Sequence, residues 1–597
     1  MVDTETTQHE VSPGVMEHTL RLGCAIYYRR LRGGKWSKGE YLDFRTPGEF
    51  WDWVVSHTRR KARLYLYAHN LMFDWGILHG TTELPARGWE RRSHILDDPP
   101  TIIRYGLPDK DAEGNPVRVR GHNGGERQGY LSSLVAIDSL NYFRASLAEL
   151  GENVGKPKTK VDFATVSDLE LMEYCRNDTE VLSHIMLGYI DFVSTHDLGS
   201  YQPTSPSQAF SAYRHRFLKS SILIDDNEAA LTLSREGYHG GRCEAWVLGR
   251  HTGSFHLLDV NSLYPYVMSQ HPYPTQLVGH YTRLTVSELS RLLDSYAAVA
   301  RVDLHTETPR YPLVYGHKLV WPVGRFTAVL PTPHLAAALQ AGEVVRVREV
   351  SVYEQSFLFG PYVDYFFHLR QTYKTSGNKV YSTMSKLFLN SLYGKFGQSG
   401  RKWEPIGESP LGEVRSWLDV DADTGDTYRM RSYGGLVERE SREGESWNSH
   451  PSIAAHVTAW GHDYLWELIQ QAGRSHVYYM DTDSLVVDDE GLEHLESKID
   501  DNRLGMMKRE LSFTTMDIHG CKDYLFGSRK KIKGIRAAAV EVKPGVYAQE
   551  SWRGAKGMIA EGDVDRIVVK QITKVLRRIY DKGILGPDGR VSPLRLP

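Results

Sequence analysis

The chain has only four cysteines in 597 residues, Cys24, Cys175, Cys243 and Cys521, and they form no C-x-x-C pair. That scarcity argues against a structural zinc site and against a disulfide framework, and it fits a reducing compartment such as the cytoplasm. No apolar run approaches the ~20 residues of a membrane-spanning helix, and the opening MVDTETTQHE is acidic rather than signal-like. No membrane partner is expected. Neither sign of charge is in excess, with 72 Lys and Arg against 74 Asp and Glu, so any contact to a polyanion must come from local patches. There is no G-x-x-x-x-G-K-[ST] loop, hence no sign of an attached ATPase motor. Internal repeats and long low-complexity linkers are also missing.

What is present is length enough for several domains. Residues 1–185 alternate short apolar runs with helical patterns, as an α/β domain does. YQPTSPSQ (201–208) reads as a connection. Residues 355–398 are helical in pattern with one break at TSGN (375–378), which predicts two antiparallel helices. Residues 398–452 are rich in Gly, Ser and charge and predict an inserted, exposed β subdomain or loop. Near the end, DVDRIVVKQITKVLRRIYDKG puts Val568, Ile572, Val575, Leu576 and Ile579 on one helical stripe, with Lys570, Lys574, Arg577 and Arg578 opposite. DVDADTGD (419–426) imitates a calcium loop, but Thr424 stands where the loop glycine belongs and Met430 where its last glutamate belongs, so a turn is expected.

The chemistry lies in carboxylates. HVYYMDTDSLVV places Asp481 and Asp483 between two β-prone runs. Taken alone this is most often an acidic hairpin turn; the alternative is a carboxylate pair binding divalent metal. FHLLDVNSLYPYVM puts Asp259 at the end of another apolar run, and two such sites could converge on one pair of metals. Between them, KLFLNSLYGKFGQ spaces Lys386, Asn390 and Tyr393 at i, i+4, i+7, giving an ammonium, an amide and a ring on one helix face. Lys374 on the preceding helix could add a second phosphate contact. In the first 180 residues, VDTETT offers Asp3 and Glu5, YAHNLMFDWG offers Asn70, Phe73 and Asp74, and YCRNDTEVL offers Tyr174 and Asp178. Each of these alone is weak.

DVNSLYP, KLFLNSLYG and YMDTDS, in that order, resemble motifs A, B and C of family B DNA polymerases, most closely the protein-primed branch of phages and linear plasmids. The N-terminal clusters resemble the three exonuclease motifs of the same family. The resemblance implies a multidomain α/β and α+β fold: a ribonuclease-H-like DEDD exonuclease domain, then a right-hand polymerase of palm, fingers and thumb. It implies these segments: exonuclease 1–198; palm 199–270; an insertion at 271–360 in the place of terminal-protein region 1; fingers 361–397; an insertion at 398–454 in the place of region 2, matched by position only; palm again 455–545; thumb 546–597.

Carried over by residue, the resemblance makes Asp259, the Val260 carbonyl and Asp483 the polymerase metal ligands, with Asp481 supporting. Tyr264 would lie under the sugar and exclude a 2′-OH, Lys374 and Lys386 would hold the triphosphate, Tyr393 would flank the nascent pair, and Asn390 would be a further nucleotide-binding residue. Asp3, Glu5, Asp74 and Asp178 would hold the exonuclease metals, assisted by Tyr174 and by Lys158 of KTKV. Thr6, His69, Asn70, Phe73, Ser139 and Leu140 would line a groove for a frayed 3′ end. Tyr238, Gly240 and Gly241 of GYHGGR would contact template, and Lys522 and Tyr524 of CKDYLFG the primer. The implied cofactors are Mg²⁺ or Mn²⁺, two ions per site, with dNTP substrates. The implied partners are template-primer DNA, a terminal protein as primer and a single-stranded DNA-binding protein, in the cytoplasm of a bacterial host. Two alternatives are a family B polymerase with RNA-primed or unprimed starts, and a nuclease whose C-terminal half only binds DNA.

Two departures stand out. TAWGH puts His462 where relatives often have an arginine, which predicts a weaker or pH-dependent phosphate contact. Only Met1 and Val2 precede Asp3, which predicts a fraying first strand and weakened proofreading.

Overall fold

A computed structural model describes residues 1–597 except 98, 121–124, 164, 422, 423, 442, 443 and 447. The chain opens on a long antiparallel hairpin, Val2–Ser12 with Val15–Tyr27. A bulge between Glu5 and Thr6 bends the first strand just after its two carboxylates. Beside it a mixed four-stranded sheet pairs Arg63–Ala68 parallel with Tyr130–Asp138, followed by Thr101–Pro108 and Glu90–Leu96. The 28-residue helix Asp168–Thr195 packs across the hairpin. It starts at a capping box in which Ser167 and Glu170 each bond the other's backbone amide. This is the expected α/β unit.

The expected fraying of the first strand is not found. Its ladder continues to Ser12, Val2 is buried at 1% exposure, and the Met1 ammonium donates to the Ile26 carbonyl at 2.9 Å. Its anchorage comes from the residues that follow Asp3, where the expectation had counted only those that precede it.

The second unit is a seven-stranded antiparallel sheet in the order Cys243–Ala245, Val477–Asp481, Ser484–Asp488, Gly249–Val260, Met507–Gly520, Asp523–Phe526, Arg529–Lys531. The helices Leu263–Gln270 and Pro451–Ala472 contribute to the large core that covers it. The helices Gly360–Thr375 and Lys379–Ser391 pack against each other as predicted. Gly377 turns between them in the left-handed region (φ 74°), and Asn378 caps the second by accepting from the Tyr381 amide at 3.0 Å.

Between Tyr273 and Ser356 four strands form a separate sheet, joined by Arg595–Leu596 from the chain's end, with its own apolar core. The predicted β subdomain is a four-stranded sheet, Lys402–Glu408, Leu436–Ser441, Thr427–Tyr433 and Arg415–Val420. In 419–426 the Asp421 amide bonds the Asp426 carbonyl at 2.8 Å, closing the expected turn, while 422 and 423 lie outside the described residues. This sheet is less exposed than expected, because it docks on the first unit. Arg91 pairs with Glu438 at 2.5 Å, Arg431 shares that carboxylate at 2.7 Å, and the Tyr433 hydroxyl meets His94 Nδ1 at 2.5 Å, all of them buried.

The predicted C-terminal helix is a strand. Ile567–Val575 lies between Val546–Trp552 and Val15–His18, in one sheet with the N-terminal hairpin. Ile567, Val568 and Val569 are all buried, so this β-branched run is satisfied by two strand neighbours rather than by a helical stripe. Tertiary pairing overrides a 3.6-residue periodicity here. No described helix is long and apolar enough to cross a membrane.

Candidate active sites

Asp259 is the last but one residue of its strand, opposite Ser484, and Asp481 and Asp483 flank the tight turn between the neighbouring strands. Thr482 takes a left-handed conformation (φ 66°), its amide donating to the Arg242 carbonyl at 2.6 Å. Gly241 lies against that turn: a Cβ there would come 2.5 Å from the Thr482 side chain, so the GYHGGR loop can approach only as glycine. The Val260 amide donates to the Asp483 carbonyl at 2.7 Å and ties the two carboxylate-bearing segments together.

The result is crowded negative charge. Burial first, then Asp483 and Glu510, pushes Asp259 up to about 7, with Lys386 opposing. Asp483 is pushed to about 6, by burial and then by Asp481 and Glu510, again opposed by Lys386. Lys386 is exposed on its helix and acts on both carboxylates. Asn390 is exposed one turn further on. Tyr393 follows a one-residue break in the helix, its ring 4.4 Å from that of Tyr264. Gly461 sits under the Tyr264 ring, where a Cβ would lie 3.0 Å away.

Lys374 donates to Asn502 at 2.9 Å rather than pairing with a carboxylate of the site; the Asn502 loop in turn is held by Asn261, next to Val260. Lys522, in a left-handed turn (φ 61°), reaches Asp481 at 3.3 Å, and Tyr524 stacks on Phe526 at 3.9 Å. Tyr238 packs against Gly397.

The second cluster forms across the hairpin, the Leu71–Ile77 helix and the long helix. The Thr4 hydroxyl donates to Asp74 at 2.7 Å, and Lys158 pairs with Asp178 at 2.5 Å while lying 4.8 Å from the Tyr174 ring centre. Asp3, Glu5 and Cys175 each bring a ligand atom within 4.8 Å of one another. Burial and neighbouring carboxylates raise Asp3 to about 7 and Glu5 to about 8, and hold Asp74 well above the ordinary carboxylate range. Asp178 is also raised by burial, against the opposing pull of Lys158. One oxygen of Asp178 is buried without a hydrogen-bond partner. Two carboxylate clusters held against their own repulsion, one with an orphaned oxygen, are donor sets that fit hard divalent cations.

Beside this cluster the proposed groove residues gather. Thr6 bonds His18 at 2.9 Å, His69 bonds Ser139 at 2.8 Å, and Asp138 takes the amides of Asn70 and Leu140 at 3.0 and 2.9 Å. Burial, then Lys158, lowers His69 to about 4. Phe73 lies edge-on to His18 at 5.7 Å.

The family described as DNA polymerase type B, organellar and viral, matches residues 152–406. A probable DNA polymerase of Neurospora intermedia is 25% identical over 378 residues, 60% of this chain and 37% of that one. The DNA-directed DNA polymerase of Enterobacteria phage PRD1 is 25% identical over 264 residues, 43% of this chain and 44% of that one. The structure of Phi29 DNA polymerase complexed with primer-template DNA superposes with a TM-score of 0.66 at 15% identity, covering 96% of this chain and 99% of that one. Over residues 152–406 the chain resembles the type B DNA polymerases. It matches less than half the length of these curated relatives. Its fold is that of the Phi29 DNA polymerase structure.

His462 does not take the phosphate-facing place expected of it. It is buried, its Nε2 donates to the Gly240 carbonyl at 2.7 Å, and burial lowers its pKa to about 3. It is a neutral prop for the glycine loop, not a pH-dependent contact. Residues missed in the sequence also appear. Glu510, paired with Arg529 at 2.9 Å, adds a third carboxylate beside Asp259. Trp552 tilts against His18 at 5.3 Å and Phe73 at 6.0 Å, and with Arg536 and Arg553 it walls a cavity of about 390 Å³ that also touches Asn70 and Asp138. Strand alternation around Glu510 was the only available signal for it. Trp552 had none, because it reaches the groove through a sheet closed by the far end of the chain.

Proposed function

We propose that this chain is a DNA-directed DNA polymerase with a 3′→5′ proofreading exonuclease, acting on a phage or linear-plasmid-like genome. The observation that carries the reading is the joining of Asp259 and Asp483 at one strand edge, facing Lys386, in this fold. Type B polymerases depend on divalent metal. Mg²⁺ or Mn²⁺, two ions per site, would be held by Asp259, Asp483 and the Val260 carbonyl, and by Asp3, Glu5, Asp74 and Asp178 in the other site. Bound there, such ions stabilise the attacking and leaving oxygens of in-line displacement at phosphorus.

The chain's own groups do the rest. Lys386 neutralises the triphosphate of an incoming dNTP, with Lys374 and Asn390 flanking it. The Tyr264 ring, which packs on Tyr393 and over Gly461, would lie under the sugar and exclude a 2′-OH. Tyr238, Gly240 and Gly241 present backbone to the template, while Lys522 and Tyr524 meet the primer. In the exonuclease, Lys158 holds Asp178, and Tyr174 beside them orients the attacking water. Thr6, His69, Asn70, Phe73, Ser139 and Leu140 then guide the frayed strand, with stacking faces suited to any base.

Protein priming is the finer reading. Residues 271–360 would meet a terminal protein and DNA, and residues 398–454 would encircle DNA to favour processivity and strand displacement. Docking of the latter sheet on the first unit, and its Val414 carbonyl lying 3.4 Å from where a Gly562 Cβ would stand, support a closed ring around the duplex. We assign 1–198 to the exonuclease, 199–270 and 455–545 to the palm, 361–397 to the fingers and 546–597 to the thumb. Primer extension on singly primed circular DNA, with and without a candidate terminal protein, tests this. Extension from the DNA primer, and nucleotide attached to the added protein, are expected. No extension in any divalent metal overturns the polymerase reading, and extension without any protein-linked product overturns protein priming.

A further inference from the structure

Two of the four cysteines, 278 positions apart in sequence, meet beside the polymerase carboxylates. Cys243 begins the edge strand Cys243–Ala245 and is the ladder partner of Asp481. Cys521 sits in the turn between Met507–Gly520 and Asp523–Phe526, immediately before Lys522. The Cys521 thiol donates to the Cys243 carbonyl at 3.0 Å, and the Cys243 sulfur lies 3.6 Å from the Tyr479 hydroxyl, which also receives the Lys522 amide. Both are free and partly accessible, unlike Cys24 and Cys175, which are buried.

Their surroundings favour reaction. Lys582 donates to the Cys243 carbonyl at 2.9 Å, so a cation sits at the pair. The hydrogen bond from Cys243 holds the Cys521 sulfur below the ordinary thiol range against burial, with Lys582 assisting. A thiol that ionises more readily than usual, with a second thiol near it, is the arrangement from which disulfides form.

We propose that Cys243 and Cys521 are a modification site: a dithiol that closes to a disulfide on exposure to a low-molecular-weight disulfide and thereby slows nucleotide addition. Cys521 attacks the oxidant and releases one small thiol, leaving a mixed disulfide. Cys243 then attacks the Cys521 sulfur and releases the second small thiol. Two protein S–H bonds and one S–S bond of the oxidant become one protein S–S bond and two small-molecule S–H bonds.

The consequence follows from what shares the turn. A disulfide requires the sulfurs to close to ~2.05 Å, which draws the 521–522 turn toward the edge strand. The Lys522 amide donates to the Tyr479 hydroxyl at 2.9 Å and its ammonium reaches Asp481 at 3.3 Å. Both contacts must readjust, which displaces the residues placed at the primer terminus. The proposal rests on the polymerase reading only for this readout, since the cross-link can be scored without activity.

The test uses the full-length chain treated with oxidised glutathione. The expected outcomes are a peptide joining Cys243 to Cys521 in non-reducing mass spectrometry, and primer extension about tenfold slower, as misplacement of a positioned group produces. Dithiothreitol should restore extension, and degradation of single strands should be unchanged. Cys521→Ser and, independently, Cys243→Ala should extend primers normally and resist the oxidant. The proposal is overturned if only glutathione adducts form, if the cross-link forms without slowing extension, or if both variants are slowed like the parent. Absence of all extension from the reduced parent would instead count against the polymerase reading and leave the cross-link to be judged by mass alone.

Discussion

The Val260 amide donates to the Asp483 carbonyl at 2.7 Å, so the two segments that bear Asp259 and Asp483 are joined by backbone. That bond holds Asp259 and Asp483 close whatever their charge. Their folded pKa values of about 7 and 6 lie above the ordinary 3.8, so the folded chain keeps protons that the unfolded chain has lost.

Stability of the metal-free protein should therefore fall as pH rises through that window, because the unfolded state then binds fewer protons. In thermal melts at about pH 5.5 and pH 7.5, Asp259→Asn should show a smaller fall in Tm than the parent. Mg²⁺ at the higher pH should raise the parent's Tm more than the variant's. Equal pH dependence in both proteins would show that this pair carries no repulsion.

Tyr264 is clamped by Tyr393 at 4.4 Å and by the close floor at Gly461. Tyr264→Val should admit ribonucleotides, with discrimination falling about tenfold or more, the scale of a lost steric contact in a pocket. The check is the ratio of kcat/KM for dNTP and rNTP in each protein. An unchanged ratio would remove Tyr264 from sugar selection.

Lys386 is the cation felt by both carboxylates. Lys386→Ala should raise KM for dNTP about tenfold or more while leaving single-strand degradation intact, since one charge-assisted contact is worth that much. Loss of both activities would point to misfolding, and Lys386→Arg, which keeps the charge, should then recover extension in part. Unchanged KM in Lys386→Ala would remove the triphosphate role.

The strand that bears Asp3 and Glu5 is anchored by a ladder running to Ser12. Adding β-branched residues before Val2 should change the degradation rate of a 3′-labelled strand by less than about twofold, whereas Asp178→Ala should nearly abolish it. A severalfold gain on extension would mean the strand does fray.

The sequence was informative where function is written in short contiguous motifs. Asp259 and Asp483 lie on adjoining segments, and Asp3, Glu5, Asp74 and Asp178 lie together, as the motif resemblance implied, and the helix pair around Gly377 was readable from its pattern and its turn. It was silent where distant segments meet. Ile567–Val575 has helical periodicity yet is a strand, because its partners are Val15–His18 and Val546–Trp552. His462 looked like a substituted phosphate ligand, but its role is set by Gly240, 222 positions away. Trp552 and Glu510 reach their sites only through sheet pairing that no local pattern announces.

The central claim is that two separate carboxylate sites carry two opposed reactions, and one paired measurement tests it. On a 5′-labelled primer-template with Mg²⁺, the parent should lengthen the primer when dNTPs are present and shorten it when they are withheld. Asp483→Asn should lose lengthening by more than about a hundredfold, the scale of a lost transition-state contact, and still shorten the primer. Asp178→Ala should lengthen and not shorten. Lengthening by Asp483→Asn at the parental rate, or loss of both reactions in a folded Asp178→Ala, would contradict the account.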